Sequence, residues 1–238
     1  NITRVSRNII LDKSEVSTKV DILYPLNGEH VQGMFNLYGN VSTKKEVNSL
    51  MLYIDEEEVA MTDVTNTGYF KFTITPELLS GGTHIFTVRA LIDEKTVVTS
   101  GDRYLIYTPS GPWITIDNFT MGDYAIDRPF IEGSAGYAFT ESQLLKLRDK
   151  DTSDVEKKEL KAKTVEKVEL SFDNGKTFEE VSKNRKWRYR FENGDKAQGY
   201  YFMLVRATMK NGETAVTRSI IQVDKTKPIV RLISPGEG

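Results

Sequence analysis

The sequence predicts an all-β chain of two tandem sandwiches, and three observations carry that prediction. Strand-like segments recur at a nearly constant offset, apolar and polar residues alternate within them, and turn residues separate them. The segment Val47-Asn-Ser-Leu50-Met-Leu52-Tyr-Ile54-Asp55 returns 118 residues later as Val165-Glu-Lys-Val168-Glu-Leu170-Ser-Phe172-Asp173. Phe70, Phe72 and Ile74 return as Trp187, Tyr189 and Phe191, and Gly82 with Val88-Arg-Ala90 returns as Gly199 with Val205-Arg-Ala207, all 117 residues later. A one-residue loop deletion accounts for the slip. Self-similarity of this kind sets the architecture before any single motif does.

The junctions repeat too. Arg7-Asn-Ile-Ile10, Arg103-Tyr-Leu-Ile106 and Arg218-Ser-Ile-Ile221 each precede a polar or proline-containing stretch and a new β-rich run. Those runs are Val20-Asp-Ile-Leu-Tyr-Pro25, Trp113-Ile-Thr-Ile116 and Ile229-Val-Arg-Leu-Ile-Ser-Pro235. The reading is therefore residues 1–18 as the end of a preceding domain or an edge strand, 19–109 as a first domain, 110–225 as a second, and 226–238 as the start of a truncated third. Within each copy the period is 2. Leu50, Leu52 and Ile54 alternate with Ser49, Met51 and Tyr53, as Val168, Leu170 and Phe172 do with Lys167, Glu169 and Ser171. Such strands bury one face and wet the other, as antiparallel sheets do. The turn that follows is Asp55-Glu-Glu-Glu58 in one copy and Asp173-Asn-Gly-Lys176 in the other, the second a strong hairpin signal. About 90 residues and about seven short strands per copy give an immunoglobulin-like sandwich.

One stretch breaks the repeat. Gly39 and Val47 are 8 residues apart, whereas their counterparts Gly133 and Val165 are 32 apart. The extra residues fall in 139–164, where Thr140-Glu-Ser-Gln143 reads as a capping box ahead of Leu144, Leu145 and Leu147. A second helical run follows, with Asp154 and Lys158, and Glu159 and Lys163, spaced i,i+4. A long insertion with its own secondary structure on a rigid scaffold is a place for function. The candidate partner-binding residues are Leu144, Leu145, Leu147, Val155 and Leu160. The competing reading has the leucines only capping the sandwich or filling the groove between domains.

Composition narrows the function. The 32 basic and 34 acidic residues leave a net charge of −2, which gives no electrostatic case for nucleic acid or an anionic membrane. The insertion, with seven basic and six acidic residues, gives none either. The longest apolar run, Tyr200 to Val205, is too short to cross a bilayer. Cysteine is absent, which removes disulfides, thiolate metal sites and thiol nucleophiles.

No catalytic or metal-binding pattern emerges, and no cofactor is expected. His30 and His84 are the only histidines, short of the three or four ligands a zinc site takes. Gly133-Ser-Ala-Gly136 is a nucleophile elbow with Glu132 in place of its first glycine. Asp149-Lys-Asp151-Thr-Ser153 starts like a calcium loop, but Asp154 and Leu160 stand where it needs glycine and glutamate. The acidic run Asp55–Glu58 reads as a solvated hairpin tip. Trp187, Tyr189 and Phe191 read as core; as a sugar-stacking platform they would have to face solvent.

The residues that carry a resemblance are Pro25-Leu-Asn-Gly28, Gly39, Leu50–Asp55, Gly68-Tyr-Phe-Lys-Phe72 and Gly82–Ala90. With them the chain resembles tandem bacterial Ig-like repeats of large exported or surface proteins. Val168–Phe178, Trp187–Phe191 and Val205–Ala207 are similar to the Ig-like dimerisation domain of sulfite oxidases, a non-catalytic association module. The resemblance implies a non-enzymatic spacer, scaffold or adhesion and assembly segment of an exported bacterial protein, in the periplasm, on the cell surface or outside the cell. Its partners would be proteins or neighbouring domains of the same chain. The alternative is a carbohydrate-binding or accessory module beside an enzyme domain, with a glycan ligand.

Overall fold

The computed structural model describes residues 17–126 and 128–226. The readings placed on Arg7–Ile10 and Ile229–Pro235 lie outside the described residues. The first sandwich contains β1 (Lys19–Tyr24), β2 (His30–Gln32), β3 (Phe35–Ser42), β4 (Val47–Ile54), β5 (Glu57–Thr62), β6 (Tyr69–Ile74), β7 (Gly82–Ile92), β8 (Thr96–Thr99) and β9 (Arg103–Thr108). The second contains β10 (Gly111–Ile116), β11 (Phe130–Ala138), β12 (Val165–Ser171), β13 (Glu179–Ser182), β14 (Lys186–Arg190), β15 (Gly199–Met209) and β16 (Thr214–Val223). Between β11 and β12 lie two helices, α1 (Glu141–Arg148) and α2 (Asp154–Lys161).

The sheets correspond across the repeat. One is three-stranded, β1-β3-β6 in the first copy and β10-β11-β14 in the second. The facing sheet is β2-β9-β7-β4-β5, with β8 on β7, in the first copy and β13-β12-β15-β16 in the second. Each pair of sheets closes on its own core. Leu37, Leu50, Leu52, Phe70, Phe86 and Leu105 fill the first. Ile116, Ile131, Val168, Trp187, Phe191 and Val205 fill the second.

The repeated glycine has a steric cause. A Cβ on Gly39 would sit 2.1 Å from the Phe70 ring and 2.3 Å from the Asp21 carbonyl oxygen. One on Gly133 would sit 2.3 Å from the Trp187 ring and 2.1 Å from the Thr115 carbonyl oxygen. In both copies an aromatic side chain of the third strand lies flat over the second strand, and only a residue without a side chain leaves it room.

The repeated aspartate has an electrostatic one. Asp55 and Glu56 hold φ of 51° and 73° in the β4–β5 hairpin, a conformation that favours Asn and Gly. Asp55 offsets the strain by accepting hydrogen bonds from the Ile85 N–H at 2.8 Å and from the His84 ring at 2.6 Å. Partial burial opposes ionisation there, but these two contacts outweigh it and hold the carboxyl below its usual range. Asp173 turns inward on its own loop, accepting from the Thr177 hydroxyl at 2.6 Å and the Thr177 N–H at 2.9 Å. Those contacts, Thr177 first, hold its pKa down to about 2.

The second sandwich is folded back along the first. Lys19 pairs with Ser42, and the Val41 N–H donates to the Gly68 carbonyl, so the start of β1, the end of β3 and the turn before β6 share one end. The chain crosses over at the opposite end, where β2 runs parallel to β9 and the Gly33 N–H donates to the Thr108 carbonyl. From there β10 travels beside β3 in the same direction. Gly111 abuts Gln32, Trp113 abuts Gly33, and the Ile116 N–H reaches the Asn36 side chain. Further along, Gly122 packs on the Tyr69 ring and Asp123 accepts from the Thr67 hydroxyl. The Gln222 N–H donates to the Asp123 carbonyl, which returns the end of β16 to the end where β1 began. The helices follow Ala138, whose partner is Gly111, so they sit at the crossover end, away from Lys19 and Val223.

Gly133→Ala is expected to cost about 3 kcal/mol or more, the upper range for forcing atoms into a packed core, read as a lower urea midpoint or a failure to fold. Asp173 has a folded pKa of about 2 against about 3.9 for a free aspartate, so its stabilisation is present above the free value and disappears as pH falls through the folded one. Urea midpoints of the parent protein should therefore drop across that acid window, and Asp173→Asn should flatten the drop.

Candidate functional site

The insertion forms the predicted helical pair. Thr140 caps α1: its hydroxyl accepts from the Gln143 N–H at 3.2 Å, and the Gln143 side chain accepts from the Thr140 N–H at 3.0 Å. Ser153 caps α2, accepting from the Glu156 N–H at 3.3 Å. A Lys146–Glu156 ion pair of 3.1 Å ties the helices together. Lys163 takes partners in the sandwich, the Tyr137 hydroxyl at 2.7 Å and Glu213 at 3.7 Å. The Lys210 N–H donates to the Thr164 carbonyl and the Asn211 N–H to the Ala162 carbonyl, fixing the return of the insertion to the β15–β16 hairpin.

The five candidate residues divide by exposure. Leu160 is buried and Leu147 half-buried, so these two serve the packing of the pair. Leu144, Leu145 and Val155 face solvent, with Val155 69% exposed. None of these three belongs to the core of either sandwich.

A second feature was not legible as a site, the seam between the sandwiches. Asn36 on β3 is fully buried; its carbonyl oxygen accepts from the Ile116 N–H at 2.8 Å and from the Tyr38 hydroxyl at 3.2 Å, and its amide donates to Thr73 at 3.1 Å. The Lys71 ammonium donates to the carbonyls of Asp117 at 2.6 Å and Ile116 at 3.1 Å. Burial draws the Lys71 pKa below the usual lysine range, against the pull of Asp117 and Asp123. Tyr24, Tyr38 and Met121 form a small core of their own, with Leu23 and Ile220 packed on it. Burial first, and then the Glu29 carboxylate, push the Tyr24 hydroxyl up to about 12. Arg218 lies 5.0 Å from the Tyr24 ring and 3.4 Å from Glu29, tying β16 to the first sandwich. A cleft of about 240 Å³ remains beside this seam, lined by Glu29, Phe35, Trp113 and Thr217 among others. The one available signal was the outward phase of Asn36 and Tyr38, an amide and a phenol where a wet face would carry charge.

His84, Ser134 and the Trp187–Phe191 aromatics occupy hydrogen-bonded or packed positions. His84 is buried, its ring bridging Asp55 and the Ser80 carbonyl at 2.9 Å. Its counterpart Tyr201 donates to the counterpart carbonyl, Ala197, at 2.8 Å, so the histidine repeats a structural hydrogen bond. Ser134 donates to Asp117 at 2.6 Å and accepts from Lys186 at 2.7 Å. Lys186 is ion-paired with Asp117 and 81% exposed, whereas an amine acting as a base needs a desolvated site. Trp187 and Phe191 lie in the core and Tyr189 packs against it, so these rings do not form a solvent-facing platform. Among the described residues no group of three or more His, Cys, Asp or Glu could hold a metal ion, and no helix is long and apolar enough to cross a membrane.

Residues 19–88 match the family model for the bacterial Ig domain, in line with the resemblance of the first copy to bacterial Ig-like repeats. No curated protein matches the chain. Among solved structures it is similar to the fibronectin(III)-like modules of Clostridium thermocellum CbhA, at 14% identity over 86% of this chain and 93% of that one, with a TM-score of 0.31. It is similar to a tetra-tandem repeat in the extending region of a large adhesion protein, at 13% identity over 88% of this chain and 50% of that one, with a TM-score of 0.30. It is also similar to latent PorU of Porphyromonas gingivalis, at 11% identity over 88% of this chain and 20% of that one, with a TM-score of 0.42. None of these matches bears on the likeness to the sulfite oxidase dimerisation domain.

Lys71→Met removes the ammonium and leaves the facing carbonyls without their donor, a loss of about 1.5–3 kcal/mol for hydrogen bonds to a charged group. Calorimetry should then show the single unfolding transition of the parent protein separating into two.

Proposed function

We propose that this chain is a non-enzymatic presenting scaffold within a larger exported bacterial protein, and that it holds the helical insertion out toward a protein partner. The observation that carries the reading is the position of α1 and α2. They stand at the crossover end of a folded-back pair, while Lys19 and Val223, through which the chain joins whatever flanks it, stand at the other. Sandwiches set end to end would act as a spacer by adding their lengths; this pair adds width and offers one free end.

The docked seam supports the same reading, because a segment is presented in a fixed direction only if its base does not swing. Leu144, Leu145 and Val155 are the residues assigned to the contact, with Leu147 and Leu160 holding the helices in place. Bacterial Ig domains are common in extracellular and surface proteins, and we place this chain outside the cytoplasm on that basis.

The test compares residues 1–238 with a variant in which a short Gly/Ser linker replaces 139–164, each used as bait in cell-envelope extracts. The variant should keep its thermal transition and lose the captured partner. Leu145→Asp with Val155→Asp should weaken capture about tenfold, as loss of apolar anchors does. Equal capture by all three proteins overturns the assignment of the insertion.

A further inference from the structure

We infer that a neutral saccharide chain binds across the seam at the end opposite the helices, on a row of solvent-facing rings. Residues paired across a sheet point to the same side. Tyr200 on β15 is opposite Gln222 on β16, and Gln222 bridges in turn to Tyr124. Phe202 follows Tyr200 by two residues and so shares its face, opposite Ile220. Tyr200 is 62% exposed, Phe202 60% and Tyr124 40%, high values for rings of this size.

Strand spacing places Tyr200 and Tyr124 about 10 Å apart, with the Gln222 amide between them, and Tyr200 and Phe202 about 7 Å apart. The surface continues into the seam: Tyr69 of the first sandwich lies over Gly122, near enough to Tyr200 and Tyr124 for their hydroxyls to raise its pKa after burial itself.

The occupant follows from this chemistry. Tyr124, Tyr200, Phe202 and Gln222 present only phenol, phenyl and amide groups. The neighbouring Asp123 carboxylate is engaged by the Thr67 hydroxyl at 3.0 Å and the Thr120 N–H at 3.3 Å. An uncharged surface complements an uncharged ligand. Flat rings flanked by phenol hydroxyls and an amide offer stacking for the C–H face of a sugar and hydrogen bonds for its hydroxyl edge. The rings sit on paired strands of a rigid sheet, so the spacing between them is set before the ligand arrives.

Affinity electrophoresis of residues 1–238 through gels containing hydroxyethyl cellulose, xylan, galactomannan or soluble starch tests the inference. Retardation by at least one of these neutral polymers is expected, weakened about tenfold or more by Tyr200→Ala with Phe202→Ala, the scale of losing aromatic anchors. Both side chains are exposed, so the thermal transition of the double variant should match the parent and separate lost binding from lost fold. No retardation by any of the four polymers overturns the inference, as does retardation that the double variant retains. Concentration-dependent self-association in sedimentation, abolished by the same variant, overturns it in favour of a second copy of this chain. The outcome is independent of the pull-down with 139–164, because the two surfaces lie at opposite ends.

Discussion

Two polar side chains on the outer face of the first sandwich, Asn36 and Lys71, set everything above the level of a single sandwich. Each sits at a position that the alternation of its strand assigns to solvent, yet Asn36 is fully buried and Lys71 half-buried at the second sandwich. Lys71 satisfies carbonyls at the end of β10 and Asn36 satisfies an N–H within it, so the backbone leaving β10 has its hydrogen bonds completed by the neighbouring sandwich. An unpartnered buried backbone group costs far more than a made hydrogen bond contributes. The docked arrangement is thus specified by polar contacts as well as by the apolar patch of Tyr24, Tyr38 and Met121.

Much of the fold was legible because its causes are local and repeated. The spacing of Leu50, Leu52 and Ile54, the Asn174-Gly175 turn and the capping box at Thr140 each follow from a rule that acts over a few residues. The seam was not legible, because nothing near Lys71 in the chain distinguishes a lysine that will coordinate distant carbonyls from one that will be solvated. The platform was hidden for a related reason. Tyr200 and Phe202 belong to the longest apolar run, where they alternate with the inward members Met203 and Val205 and cannot be told from them by composition. Trp187 and Phe191, which read as core together with Tyr189, are buried.

The two copies also show how a position outlasts its chemistry. His84 and Tyr201 reach the same carbonyl of their respective repeats, one with an imidazole and the other with a phenol. The glycine beneath the crossing ring has no such latitude, because the contact distances leave no room for any side chain. In the second copy the outward positions matching Asn36 and Lys71 hold Phe130 and Arg188, and Arg188 lies 3.7 Å above the Phe130 ring and 2.7 Å from Glu132. A face that is a seam in one copy closes on its own charges in the other.

Because Lys19 and Val223 lie at the same end, force applied through them would meet the pair across its width. The load would fall first on the Thr67–Asp123 contact, then on Lys71, then on Asn36, one small group at a time, as a strip of tape peels. Strands within each sandwich lie in series with the seam and would bear the same force, spread over their paired backbone hydrogen bonds. Opening the seam would let the two sandwiches swing apart about the crossover, so under strain the pair would act as a stored slack that yields before its parts unfold.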